Sequence, residues 1–436
     1  MKITFIQPRM LTGKPSDCME PLVFALLKAL TPEHIDICFY DERLESVPFD
    51  EPTDAVALTI NTFTARRAYE IAQTYESKNI PVIAGGFHAT LLPEEVLEFV
   101  RTVVVGDAED TWPRILDDLL NDTLQERYFS TMPPMCDTVP DRSLFKRQRY
   151  LPILPVQFGR GCPHQCDFCS IHAVYDSSLR QRNLDDLCRE LAPIRGKHIL
   201  LTDDNLLHNK KMAENLFIEL KNIGLRWSCQ ISINAIADKN FIAHMAESGC
   251  TSVTIGFESL NTGNLRQMNK NVNQHHFNYS EAIHACNEVG IMVYGTFVFG
   301  YDHDTKESFN ETLDFALAHN LFLANFNPLT PFPGTRLYDR LMAENRMIYK
   351  GWWLKDDVRY GQAVFHPRGM TADELEEGCF RIRTEFNTHR NTALRFIRNK
   401  TNRKSTYNSV VFLSSNRASR KEIRRKQGKI ATWTEG

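Results

Sequence analysis

The stretch Gly159-Arg160-Gly161-Cys162-Pro163-His164-Gln165-Cys166-Asp167-Phe168-Cys169 decides how the whole chain is read. It sets three cysteines at C-x3-C-x2-C spacing on a glycine-punctuated loop that follows the apolar run 153–158. Three thiolates on one short loop can point at one cluster of iron atoms, and a four-iron cluster needs four ligands. The remaining iron is then open to a small molecule, which makes the site a place for chemistry as well as for storing electrons. Two plainer readings stand beside this one. His164 or His172 could complete a tetrahedral Cys3His zinc site, although zinc motifs usually pair two close couples. Three unrelated buried thiols are hard to reconcile with one short polar loop.

On both sides of this loop, apolar runs alternate with helical patterns. Strands are predicted at 153–158, 198–201, 228–233, 252–257, 292–299 and 323–328, and helices at 184–194, 211–223, 239–247, 279–289, 305–318 and 336–343. Polar residues gather at the strand ends: Thr202, Asp203, Asp204 and Asn205 after the second, Gln230, Ser232 and Asn234 at the third, Glu258 and Ser259 at the fourth. Functional residues in barrels of parallel strands lie at those carboxyl ends. Asp204 or Asn205 could instead simply cap the next helix. His275 and His276 fall between helical patterns and are expected to be exposed.

Upstream, strands are predicted at 3–6, 35–40, 55–60, 81–84 and 102–105, and helices at 19–30, 65–75, 94–99 and 112–120. Such alternation means a doubly wound parallel sheet, with ligands at the carboxyl ends of its strands. The loops 7–10, 61–64 and 85–90 then frame any site. Gly85-Gly86 lets a backbone come close to something there, or makes a plain tight turn. The domains predicted are 1–125, a linker over 126–150 with Pro133, Pro134 and Pro140, 151–345, and a C-terminal extension over 346–436.

From residue 380 to the end there are 15 Lys or Arg and 3 Asp or Glu. These basic residues interleave with Leu394, Phe396, Ile397 and Val410 to Leu413, which suggests an arm lying on an anionic surface such as lipid headgroups. Nucleic acid is the other such surface, and a solvated helix face is the plainest alternative. No nucleic-acid partner is expected.

The C-x3-C-x2-C loop with Phe168 just before its last cysteine resembles the radical S-adenosylmethionine (radical SAM) enzymes. That resemblance implies a [4Fe-4S] cluster on Cys162, Cys166 and Cys169, whose open iron chelates S-adenosylmethionine (SAM), and reductive cleavage of SAM to a 5'-deoxyadenosyl radical. It implies a partial (β/α)6 barrel, with Phe168 beside the adenine. Asp203, Asp204 and Asn205 then fall where the family's Gly-Gly-Glu motif meets the SAM amino group, and Glu258 falls near the ribose. This chain lacks Gly-Gly-Glu. Polar groups at the same strand ends, Gln230, Ser232, Asn234 and Ser259, can hydrogen-bond SAM.

Residues 1–120 resemble the cobalamin-binding domain that precedes the barrel in one large subclass, through Gln7-Pro8, Gly85-Gly86-Phe87-His88-Ala89-Thr90 and Gly106-Asp107-Ala108-Glu109. The Asp-x-His-x-x-Gly motif, whose histidine ligates cobalt in other cobalamin proteins, is absent. His88 alone is more often structural than a ligand. Cobalamin would then make the enzyme a methyltransferase for an unactivated carbon of an amphiphilic or lipid-like substrate. Without cobalamin, the expectation is a radical cyclisation, oxidation or rearrangement. A zinc or electron-carrying iron–sulfur protein is the reading outside catalysis. An electron donor such as flavodoxin or ferredoxin is the expected partner.

Bulk composition is that of an ordinary globular protein: 436 residues, 42% hydrophobic, 24% charged, net charge −3. No targeting pattern is read at the start, and eleven scattered cysteines fit reduced thiols. A cytoplasmic protein is expected, with peripheral membrane contact through the basic arm.

Overall fold

The computed structural model describes residues 1–135, 137–206, 209–270, 273 and 278–427. His275 and His276 lie outside the described residues.

The first sheet is built from near-continuous apolar runs, which only a sheet covered on both faces can bury. Its strands are β1 (Lys2–Gln7), β2 (Asp36–Asp41), β3 (Ala55–Thr59), β4 (Val82–Gly85), β5 (Thr102–Val105) and β6 (Arg127–Phe129), all parallel in the order β2-β1-β3-β4-β5-β6. Between them run α1 (Leu22–Ala29), α2 (Ala65–Glu76), α3 (Phe87–Leu91), α4 (Pro93–Leu97) and α5 (Trp112–Leu120). Ile3, Phe5, Phe24 and Trp112 pack on one face, and Val56, Leu58, Ala68 and Ile71 on the other. The strand order reverses direction between β1 and β3, which opens a crevice at their carboxyl ends. The sixth strand falls within the stretch expected to be linker. Three residues, Arg127, Tyr128 and Phe129, are too few to show a period in sequence, and pairing with Val103 to Val105 decides their state.

The second sheet starts with β7 (Ile153–Val156), followed by a two-stranded antiparallel ribbon, β8 (Gly159–Arg160) with β9 (Arg180–Gln181). It continues through β10 (His198–Leu201), β11 (Arg226–Ile231), β12 (Cys250–Glu258), β13 (Met292–Phe299) and β14 (Leu323–Pro328). The six large strands are parallel and adjacent in sequence order, β7-β10-β11-β12-β13-β14, leaving the sheet open between β7 and β14. The helices are α6 (Ser170–Tyr175), α7 (Leu184–Leu191), α8 (Lys210–Ile223), α9 (Lys239–Glu247), α10 (Thr262–Gln267), α11 (Tyr279–Val289), α12 (Lys306–Ala318) and α13 (Arg336–Ala343). Alternation sorts the strand side chains: Val293, Phe297, Phe299 and Phe326 enter the core under the helices. Tyr294, Thr296, Val298, Asn325 and Asn327, half-buried, face the other way, into the barrel lumen.

The chain ends in α14 (Ala372–Phe386), α15 (His389–Arg398) and α16 (Thr406–Arg425). The basic segment expected as an arm is therefore a folded helical layer. Phe412 is fully buried against Met292, Phe322 and Phe396. Arg395 is 1% exposed, donates to the carbonyls of Leu321, Phe322 and Phe386, and stacks 3.8 Å from the Phe386 ring. Phe396, Val411 and Phe412, three of the seven apolar residues named in that segment, thus pack against the barrel. Among the described residues no helix is long and apolar enough to cross a membrane.

Candidate active site

The cysteine loop leaves β7 and returns through β9, so the small ribbon closes its neck. Gly161 has φ +95°, and a Cβ there would lie 1.9 Å from the carbonyl oxygen of Ser178. Only glycine fits this neck. Asp203, at the end of β10, is 4% exposed and accepts the backbone N–H groups of Phe158, at 3.2 Å, and Gly159. Those bonds explain why β7 stops at Val156, two residues short of expectation. Burial pushes the Asp203 pKa up to about 7, against the pull of these two amides. Asp204 accepts from Gly161 N at 2.8 Å, and Asn205 Nδ2 lies 3.8 Å from Cys162 Sγ. All three predicted residues therefore touch the loop, and the two aspartates hold its backbone.

The loop's far side is pinned by a residue to which the sequence reading assigned no role. Asp167, between the last two cysteines, accepts from Tyr301 Oη at 2.6 Å and Arg340 Nη2 at 3.1 Å, and its own amide donates to Met268 O. Asp304 in turn accepts from Gly300 N and Tyr301 N, fixing the turn that carries Tyr301. The signal available in sequence was a carboxylate inside the motif.

Glu258, at the end of β12, has φ +62° and pairs with Lys270 Nζ at 2.5 Å. Gly256 makes room for them: a Cβ there would lie 2.3 Å from Glu258 Oε1. Burial pushes the Cys166 thiol up to about 12, and the Lys270 charge opposes it. Lys270 thus stands as a buried cation beside the thiols. The sequence alone assigns Lys270 no role. Phe168 packs partly buried on the barrel core. Ser232 Oγ lies 3.5 Å from His164 Nε2, while Gln230 is exposed to the lumen and Asn234 is exposed on the short turn Ile233–Ala237. Ser259 turns away into a network with Asn261 and Asn264.

Among the described residues no three Cys, His, Asp or Glu side chains converge to hold one metal ion. A single zinc requires such convergence, whereas thiolates of an iron–sulfur cluster each take a separate iron. The donor set of three free thiols, with Cys162 and Cys169 close enough to Cys166 to raise its pKa, fits a cluster.

The first domain meets the loop directly. Arg160 pairs with Asp107 at 2.7 Å and Glu109 at 2.9 Å, and Arg180 pairs with Asp107 at 2.6 Å. Beside this clamp lies a cavity of about 670 Å³ at the carboxyl ends of β1, β3, β4 and β5. Leu26, Ile83, Val104 and Trp112 supply its apolar wall, and Gly85, Gly86 and Asp204 line the same space. Gly86 has φ +100° and its close approach is to the backbone of Ile60, 2.7 Å from a Cβ position. Among the described residues no histidine lines the cavity. His88 is fully buried and bonded to Thr62, Tyr69 and Glu95.

The Radical SAM superfamily model matches residues 156–316, the cysteine loop and most of the barrel. The bacteriochlorophyllide d C-8(2)-methyltransferase of Chlorobaculum tepidum is 30% identical over 352 residues, covering 76% of this chain and 78% of the relative. The bacteriochlorophyllide d C-12(1)-methyltransferase of the same organism is 29% identical over 401 residues, covering 88% and 87%. Among solved structures, the cobalamin-dependent S-adenosylmethionine radical enzyme OxsB, with aqua-cobalamin and SAM bound, aligns at a TM-score of 0.69 and 13% identity over 97% of this chain and 77% of that one. This chain belongs to the radical SAM superfamily, enzymes that use a [4Fe-4S] cluster and SAM. Within it, the chain is similar over most of its length to methyltransferases.

Proposed function

We propose that this protein is a cobalamin-dependent radical SAM methyltransferase acting on an unactivated carbon of a small amphiphilic organic molecule. The observation that carries the reading is the 670 Å³ cavity between the first sheet and the cysteine loop. It lies where a doubly wound sheet binds its ligand, and it abuts the site of radical formation. When bound, the cluster with SAM supplies a 5'-deoxyadenosyl radical, and methylated cobalamin supplies the methyl group.

The chain's own residues position these groups. Cys162, Cys166 and Cys169 ligate the cluster, and Asp203, Asp204 and Asp167 hold their loop rigid. Lys270 offers a positive charge to the anionic cluster and to the SAM carboxylate, while Glu258, Gln230, Ser232 and Asn234 offer acceptors and donors along SAM. Phe168 gives the adenine a flat apolar wall. The Arg160 clamp holds the two domains together and keeps bulk water out of the cleft. A cobalamin held there would rest on Leu26, Ile83, Val104 and Trp112, and among the described residues no histidine of the wall would offer it an imidazole. One-electron delivery calls for a small donor such as flavodoxin or ferredoxin, in the cytoplasm. Contact with a lipid surface would use Ile397 and Leu413, which are 61% and 53% exposed.

The test is anaerobic reconstitution with iron, sulfide and hydroxocobalamin. About one cobalt per chain beside a four-iron cluster is expected, with SAM cleavage lost when Cys162, Cys166 and Cys169 become Ala. A cluster with SAM cleavage but without cobalt would overturn the methyltransferase in favour of a cobalamin-free radical reaction.

A further inference from the structure

A second cavity, of about 730 Å³, lies in the open seam of the barrel. One wall is the start of β7, with Ile153, and the other is the lumen side of β13 and β14, with Tyr294, Asn325 and Asn327. Helix α16 crosses the gap and closes it with small and aliphatic residues, among them Val411, Ser415 and Ala418. The seam would otherwise expose the unpaired edges of two strands.

The acidic groups around this cavity are paired, whereas exposed Lys197, Arg226 and buried Arg383 have no carboxylate partner among the described residues. Asp17 lies 3.5 Å from Lys426, Glu422 takes Arg425 at 2.6 Å and the amide of Ser16, and Arg226 stacks over the Tyr407 ring at 4.5 Å. Arg383, from α14, is 6% exposed and lines the cavity. Its Nη2 donates to Phe326 O at 2.6 Å and Asn327 Oδ1 at 3.2 Å. Its Nη1 is buried with no partner, and among the described residues no carboxylate pairs with it. A buried guanidinium without a counter-charge and with an unmet donor is costly, and a bound anion relieves both defects. Arg395, in the same helical layer, differs in place: carbonyls and Asn416 take its Nη1 and Nη2, its Nε is left without a partner, and it does not line this cavity.

We propose that the seam cavity binds the anionic oxo group of the substrate, a carboxylate or phosphate on an otherwise apolar body, against Arg383. This rests on the radical SAM reading and names its substrate class. The body lies along Ile153, Tyr294 and the aliphatic face of α16, with Asn325 and Asn327 between the anion and the lumen. An Arg fork recognises either anion by paired charge-assisted hydrogen bonds.

The experiment is calorimetric titration of the reconstituted holoprotein with decanoate, decyl phosphate and decanol. One or both anions are expected to bind at least about tenfold tighter than the alcohol, the scale of one charge-assisted bond. The tighter anion identifies the head group. Arg383→Gln is expected to erase the preference and Arg383→Lys to keep part of it. Ser415→Trp, which fills the cavity from half-buried α16 without touching Arg383's bonds, is expected to block all three, and it decides the matter if Arg383→Gln fails to fold. Equal binding of the three probes, a preference that survives Arg383→Gln, or undiminished binding to Ser415→Trp overturns the proposal. Iron, cobalt and SAM cleavage measured on the same samples report on the radical SAM reading separately. Their loss with the anion preference intact would sink that reading and leave an anion site.

Discussion

Tyr301, at the end of β13, donates its hydroxyl to Asp167 Oδ1 at 2.6 Å, so the barrel's fifth strand holds the cysteine loop from the side opposite Asp203. Asp167 is 9% exposed, and Arg340 occupies its second oxygen. Removing the hydroxyl leaves a buried carboxylate oxygen short of a donor, at a cost of about 1–3 kcal/mol. Tyr301→Phe is expected to lower the urea midpoint accordingly and to retain less iron per chain after desalting. Unchanged iron retention would show that the loop does not depend on this bond.

Gly161 is the narrowest point of the loop's neck. Alanine there must leave its +95° φ or move Ser178, because its Cβ would overlap the Ser178 carbonyl. Strain of about 1–3 kcal/mol is the expected scale. Gly161→Ala should keep far-UV circular dichroism and lose cluster assembly. An iron content equal to that of the wild type would refute this.

The clamp of Arg160 on Asp107 couples the domains. Asp107 is 7% exposed, and it also takes Arg180 and the Tyr175 hydroxyl. A double-mutant cycle with Arg160→Met and Asp107→Asn is expected to give a coupling of about 0.5–3 kcal/mol in urea unfolding. Additive effects would mean that the pair does no more than mark the interface. Single variants should be cut faster by protease between the domains.

Glu95 ties the first domain to the C-terminal segment. Burial raises its pKa, but bonds from His88, Tyr69 and Trp353 outweigh that and hold it below the ordinary 4.5. A depressed carboxyl contributes stability above pH 4.5 and loses it as pH falls through the folded value. The stability gap between wild type and Glu95→Gln should therefore be full at pH 7 and close in acid. A gap that is constant from pH 7 to pH 3 would place the effect in packing instead.

Much of this was legible without coordinates. Strands such as Thr102–Val105, Met292–Phe299 and Leu323–Pro328 stand where the sequence predicts them, the first as a near-continuous buried run and the other two with core-facing residues at alternate positions. Arg127–Phe129 was not legible, since so short a strand exists only through its neighbour. Asp203 was found for its place at a strand end. That its oxygens go to the Phe158 and Gly159 amides depends on backbone donors, which every residue has and no sequence pattern marks. The packing of the basic C-terminal run was hidden from the sequence for a related reason. Composition reports the charge of Arg395 and the apolarity of Phe412 but not the barrel against which both are buried.

The amino-acid sequence by itself determined the local facts: which runs become strands, that three thiols share one loop, and that polar groups follow successive strands. These follow from periodicity and spacing, which neighbours along the chain set. Tertiary structure alone decided that Tyr301 and Arg340 grip Asp167, that Arg160 reaches Asp107, and that α16 closes the seam beside Arg383. Each of these joins residues far apart in sequence, and the free energy that selects them is burial and charge pairing across the assembled fold.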